Sequence, residues 1–102
     1  MADVNSRIEE ILNQNEVVLF MKGSPQFPMC GFSARAAAIL QEVGAKYHSV
    51  DVLQDQDIRE GIKAYGNWPT IPQLYIKKEL VGGSDILMEM YESGELKEMI
   101  TK

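Results

Sequence analysis

Apolar positions along this chain alternate between stripes at helical spacing and short unbroken runs. Ile8, Ile11 and Leu12 recur at helical intervals and predict an amphipathic helix over 4–14. The run Val17-Val18-Leu19-Phe20-Met21 predicts a strand. An alanine-rich stretch over 31–43 places Phe32, Ala36, Ile39, Leu40 and Val43 on one side of a helix, with Gly44 as its stop. Lys46 to Val52 predicts a second strand. A short helix carrying Ile58, Ile62 and Tyr65 follows, opened by Asp55 or Asp57 and ended by Gly66-Asn67. Leu74-Tyr75-Ile76 and Leu80-Val81 predict a hairpin. Gly82-Gly83-Ser84-Asp85 then leads into a last helix through Ile86, Leu87, Met90 and Tyr91, and Gly94 separates this from a final turn over 95–101. The six methionines read as core filler, with Met88, Met90 and Met99 in the last helices.

The order is therefore α, then βαβ, then α, then ββα. A right-handed βαβ crossover makes two parallel strands and the hairpin adds antiparallel ones. The expected architecture is α/β: a four-stranded mixed sheet flanked by helices, with an extra N-terminal helix. No repeat, low-complexity tract or linker divides the chain, so 1–102 is expected to be a single domain. A chain of 102 residues buries roughly two thirds of its unfolded surface and folds without disulfides.

Composition changes this picture little, with 45% hydrophobic and 25% charged residues. A net charge of −5 argues against nucleic acid or an anionic membrane as main partner. No apolar stretch approaches membrane-spanning length. Met1-Ala2-Asp3-Val4-Asn5 has neither the layout of a signal peptide nor that of a transit peptide. The expectation is a reducing, cytoplasmic location, and an organellar protein written without its presequence would read the same way.

Candidate chemistry begins with Cys30, the only cysteine. It lies between the first strand and the alanine-rich helix, where unpaired backbone N–H groups and the positive end of the helix dipole favour a thiolate. The thiolate is the nucleophile and the metal ligand. Lys22, at the end of the strand, adds positive charge. A lone cysteine is most often a small buried hydrophobe. Here Pro25, Pro28 and Gly31 surround it, a composition that reads as an ordered, exposed loop. Three residues on stands Ser33, so no internal disulfide forms and any second thiol must come from elsewhere.

Two further segments stand out. Trp68-Pro69-Thr70-Ile71-Pro72-Gln73 is excluded as a central strand, because its two prolines remove ladder donors. On sequence alone Ile71–Pro72 is free to be cis or trans. A cis bond would turn the chain sharply and leave the Ile71 backbone open to an extended ligand. In Gly82-Gly83-Ser84-Asp85, two glycines admit close approach to the backbone, and Ser84 or Asp85 caps a helix whose free N–H groups suit an anion.

Lys22, Cys30-Gly31-Phe32-Ser33, Trp68-Pro69-Thr70-Ile71-Pro72-Gln73 and Gly82-Gly83-Ser84-Asp85, in this order and spacing, resemble the short form of the monothiol glutaredoxins of the CGFS type. The resemblance runs over essentially the whole chain and implies a thioredoxin-like fold that binds glutathione. It places Lys22, Arg59 and Lys63 against carboxylates, Thr70, Ile71 and a cis Pro72 against the peptide backbone, and Gly83, Ser84 and Asp85 around the γ-glutamyl end. Charge logic agrees, since cations meet carboxylates and Asp85 meets an ammonium. Read without the family, Arg59 and Lys63 are only the solvated basic face of a short helix. Two departures stand out. Ser84 replaces a cysteine found in many relatives, and Lys77-Lys78-Glu79 lacks the glycine that commonly ends their hairpin turn. A tight primed turn would force Lys78 to positive φ at about 1–2 kcal/mol, so a longer turn or another type is expected.

Three functions compete. As an iron–sulfur carrier, two chains and two glutathiones would supply the four thiolates of a [2Fe–2S] cluster, with Cys30 as each chain's ligand. The resemblance adds transfer of the cluster to recipient proteins and pairing with BolA-like proteins. As an oxidoreductase, Cys30 would attack a glutathionylated disulfide and a second glutathione would resolve the product. The same residues bind glutathione in both, and CGFS proteins are generally poor in standard glutaredoxin assays, so the carrier reading is preferred. A binding module with an inert cysteine leaves Lys22, Ile71–Pro72 and Asp85 without a shared purpose. A cysteine-protease reading fails because His48, the sole histidine, lies in the second strand with no reason to face Cys30.

Overall fold

The computed structural model describes residues 3–101, without the side chain of Thr101. Met1 and Ala2, which open the stretch read for a targeting signal, lie outside the described residues. Among the described residues nine elements follow one another: α1 (Val4–Gln14), β1 (Val17–Met21), α2 (Gly31–Glu42), β2 (His48–Asp51), α3 (Gln56–Tyr65), β3 (Gln73–Ile76), β4 (Glu79–Gly82), α4 (Ser84–Ser93) and α5 (Glu95–Thr101). The sheet order is β2-β1-β3-β4, with β1 parallel to β2 and antiparallel to β3. This is the four-stranded mixed sheet that the sequence predicts.

All five residues of β1 are buried, because helices cover both of its faces. Strand side chains alternate, so Val17, Leu19 and Met21 enter one core with Ala36 and Leu40 of α2, Leu87 of α4 and Leu96 of α5. Val18 and Phe20 enter the other, with Ile8 and Leu12 of α1 and Ile58 and Ile62 of α3. Tyr75 packs edge-on against Phe20 in this second core at 5.7 Å between ring centroids. Burial of its phenol, with the nearby Tyr65, pushes its pKa up to about 12. Helices α2, α4 and α5 thus cover one face of the sheet, and α1 and α3 the other.

Local signals place most boundaries. Asp55, rather than Asp57, caps α3 by accepting from the Ile58 N–H at 3.1 Å. Gly44 at φ 73 stops α2, and Asn67 at φ 51 takes the left-handed position after α3. Four expectations need correction. The second strand covers only His48–Asp51, since its ladder with β1 runs from Val18↔His48 to Met21↔Asp51. Residues 95–101 form a helix rather than a turn. The hairpin turn is tight, with Lys77 at φ 51 and Lys78 at φ 71, because β3 and β4 pair directly at Ile76↔Glu79. Not every methionine fills the core: Met29 is 67% exposed, and Met99 lies on the outer face of the short α5.

Candidate functional site

From β1 the chain enters a closed loop whose bonds are nearly all its own. Met29 N–H donates to the Lys22 carbonyl at 2.9 Å, and Ser24 and Phe27 exchange backbone bonds at 3.2 and 3.1 Å. Gly23 takes φ 90, and a Cβ there would lie 2.4 Å from the Phe27 carbonyl oxygen, so only glycine fits. From β2, Asp51 Oδ1 accepts from the Gly23 N–H at 2.9 Å and ties the loop to the sheet.

This loop delivers Cys30 to the N-cap of α2, half-buried, where its sulfur accepts from the Ser33 N–H at 3.3 Å. The Ser33 hydroxyl lies 3.5 Å from the sulfur and accepts from the Lys22 N–H at 3.0 Å. Burial pushes the Cys30 pKa up. The Ser33 hydroxyl, the N–H groups of Ser33 and Phe32, and the charge of Lys22 together outweigh it, and the thiol is held below its ordinary value. The helix end and Lys22 act as the sequence predicts. The fully buried Ser33 hydroxyl is the contribution that sequence reasoning missed, having treated Ser33 only as an absent second cysteine.

A cavity of about 440 Å³ lies beside this loop. Lys22 forms part of its wall, and α3 contributes Arg59 and Lys63. The next stretch of wall is Thr70, Ile71 and Pro72, joined by a cis Ile71–Pro72 bond, and the last is Gly83, Ser84 and Asp85 at the start of α4. Nine of the ten predicted site residues therefore meet around one space. Cys30 is outside the wall proper, between the wall residues Lys22 and Phe32. Arg59 and Lys63, which the sequence alone gives to a solvated face, are only partly exposed, and Lys63 pairs with Glu60 at 3.2 Å.

Several details depart from expectation. Phe32 is 60% exposed and lines the cavity, because the first turn of α2 projects past the core it was expected to join. The N-cap of α4 is Gly83, with no side-chain capping bond, and neither Ser84 nor Asp85 takes that place. Trp68, Pro69 and Ile86 complete the wall; the two-proline motif signals Trp68 and Pro69, and nothing in the sequence marks Ile86. Gln73 closes the motif for a structural reason. Its fully buried side chain donates to the carbonyls of Trp68 at 3.0 Å and Thr70 at 3.2 Å and pins that loop to β3.

Electrostatically, three cations face one carboxylate in this cavity, on a protein whose net charge is −5. Such a wall suits an extended ligand with carboxylates, one ammonium and an open peptide edge. Among the described residues no cluster of three or more histidine, cysteine or acidic side chains could hold a metal ion. No helix among the described residues is long and apolar enough to cross a membrane.

The glutaredoxin family model matches residues 17–81. An uncharacterized monothiol glutaredoxin ycf64-like of Synechocystis is 49% identical over 98 residues, covering 96% of this chain and 92% of that protein. Monothiol glutaredoxin-S11 of rice is 51% identical over 96 residues, covering 94% of this chain, but the match spans only 20% of the rice protein. Among solved structures, reduced poplar apo GrxS14 superposes with a TM-score of 0.84 at 44% identity, covering 96% of this chain and 90% of that one. A buckwheat glutaredoxin–glutathione complex superposes with a TM-score of 0.84 at 26% identity, covering 96% and 87%.

Proposed function

The chain belongs to the glutaredoxin family, in its monothiol branch, and from that premise we propose that it binds glutathione and carries a [2Fe–2S] cluster as its cargo. In this reading the γ-glutamyl ammonium and carboxylate lie at Gly83, Ser84 and Asp85. The peptide backbone lies along Thr70, Ile71 and Pro72, and the glycyl carboxylate reaches Arg59, Lys63 and Lys22. The ligand thiol then comes to the loop side of the cavity, towards Cys30.

The observation that carries the proposal is a single activated thiol per chain beside a wall that holds three cations and one carboxylate. A [2Fe–2S] cluster needs four thiolate-class ligands. One chain supplies one, and no other metal-binding cluster exists among the described residues. Two copies with two glutathiones meet the count, and the partly exposed position of Cys30 favours sharing between copies. Phe27, Met29 and Phe32, exposed by 77%, 67% and 60%, give apolar area beside the thiol for a second chain, a BolA-like protein or a recipient of the cluster. Ser33, fully buried and neutral, is no ligand for a soft iron–sulfide core. In this reading the domain acts in the cytoplasm.

The lowered pKa of Cys30 favours a second reading. Its thiolate attacks the glutathionyl sulfur of a mixed disulfide, releases the protein thiol, and is freed in turn by a second glutathione. Anaerobic reconstitution with iron, sulfide and glutathione separates the two. A red-brown product that forms only with glutathione supports the carrier. A colourless protein with brisk disulfide reductase turnover supports the enzyme.

A further inference from the structure

Gly61 stands in the middle of α3, two residues from Arg59 on one side and two from Lys63 on the other. Two steps along an α-helix turn about 200°, so this glycine and the two cations occupy opposite faces. The cations line the cavity, and Gly61 is buried on the far side. A Cβ at Gly61 would lie 2.7 Å from Cγ2 and 2.9 Å from Cγ1 of Val4, the first residue of α1. The N-terminal helix therefore seats on α3 through the one residue type that leaves it room. Glycine inside a helix is otherwise unfavourable, and Gly61 has no positive φ that would call for one at this position.

The same face of α3 is held twice more. Ile8 and Leu12 of α1 share an apolar core with Ile58 and Ile62 of α3. Arg7 of α1 donates to Asp55 Oδ2, while Oδ1 of Asp55 caps α3 at Ile58. None of Val4, Arg7, Asp55 or Gly61 lines the cavity. These contacts of α1 with α3 thus bear on where α3 sits and not on the ligand itself.

We propose that α1 is a strut that sets how far α3 leans over the cavity, and that the Val4–Gly61 contact thereby tunes affinity for the ligand carboxylate held by Arg59 and Lys63. The inference rests on the glutathione reading above, and its residues are positioning residues. An added methyl at Gly61 pushes α3 off α1 and shifts both cations together. The γ-glutamyl end, held on α4, is untouched.

The test compares two ligands on the whole chain by titration calorimetry: glutathione, and its monoethyl ester, in which the glycyl carboxylate is blocked. Gly61→Ala is expected to weaken glutathione binding about threefold to tenfold while moving ester binding less than about twofold. Its thermal midpoint should barely change, because better helix propensity offsets the crowding. Adding Val4→Ala to Gly61→Ala removes the clashing methyls and should bring glutathione affinity back to within about twofold of the parent. Equal loss for both ligands, no loss for glutathione, or failure of Val4→Ala to restore it would each overturn the strut. If the parent chain binds neither ligand, the glutathione reading falls first and the strut with it.

Discussion

The thiol loop and the cationic wall meet at one cavity but are built in opposite ways. Between Lys22 and Ser33 the thiol is held by partners no more than eleven residues apart, and Asp51 ties the loop to the sheet from outside. The wall is gathered from α3, the 68–72 loop and the start of α4, which meet only because separate pieces of sheet and helix hold them. Chemistry at the loop is therefore local, and recognition at the wall depends on packing. Damage to one should leave the other readable.

Cys30→Ser draws that line most sharply. It removes the thiolate and should abolish cluster assembly altogether, with the visible absorption of reconstituted protein as the measurement. Glutathione binding, judged by calorimetry, should survive. Asp85→Ala strikes the wall instead. In the proposed glutathione pose it costs the ligand ammonium its partner, and it should raise the glutathione needed for half-maximal assembly about threefold to tenfold. Excess glutathione should rescue Asp85→Ala and fail to rescue Cys30→Ser. Equal rescue of both would erase the distinction between the two regions.

Ser33→Ala tests how self-contained the loop is. Losing a hydroxyl that stabilises the thiolate should move the alkylation midpoint of Cys30 upward, while the cluster still assembles because no ligand is lost. An unmoved midpoint would assign the activation to the helix end and Lys22 alone.

The smallest expected effect lies behind the wall. Asp55→Ala removes the α3 cap and the partner of Arg7, and should cost about 1 kcal/mol in urea unfolding near neutral pH. The Ile58 N–H and the Arg7 guanidinium hold the Asp55 carboxyl below its usual range. Its contribution is then fully present above the ordinary carboxylate pKa and is lost as pH falls through the lowered value. The difference between parent and variant should close in acid, and a gap that stayed constant with pH would remove the charge from this account.

The same contrast explains what could be read from the chain. The loop was legible because its signals are local: a β run, two prolines, one cysteine and a helix start. Nearly every element was legible for a similar reason, since each side of the sheet leaves its own apolar period. The tight turn at Lys77-Lys78 ran against local preference, and strand pairing decided it. The buried Ser33 hydroxyl and the exposure of Phe32 were hidden because both depend on where the first turn of α2 leaves the core. Family resemblance, and not residue chemistry, brought Arg59 and Lys63 to the site. A basic pair on a short helix says nothing of what lies opposite until packing against α1 turns it inward.

Native mass spectrometry of the anaerobically reconstituted protein tests the central claim most directly, because it counts the parts at once. The account predicts one species of two chains, two glutathiones and one [2Fe–2S] cluster, formed only when Cys30 and glutathione are both present. A cluster held by a single chain, or by two chains without glutathione, would contradict it.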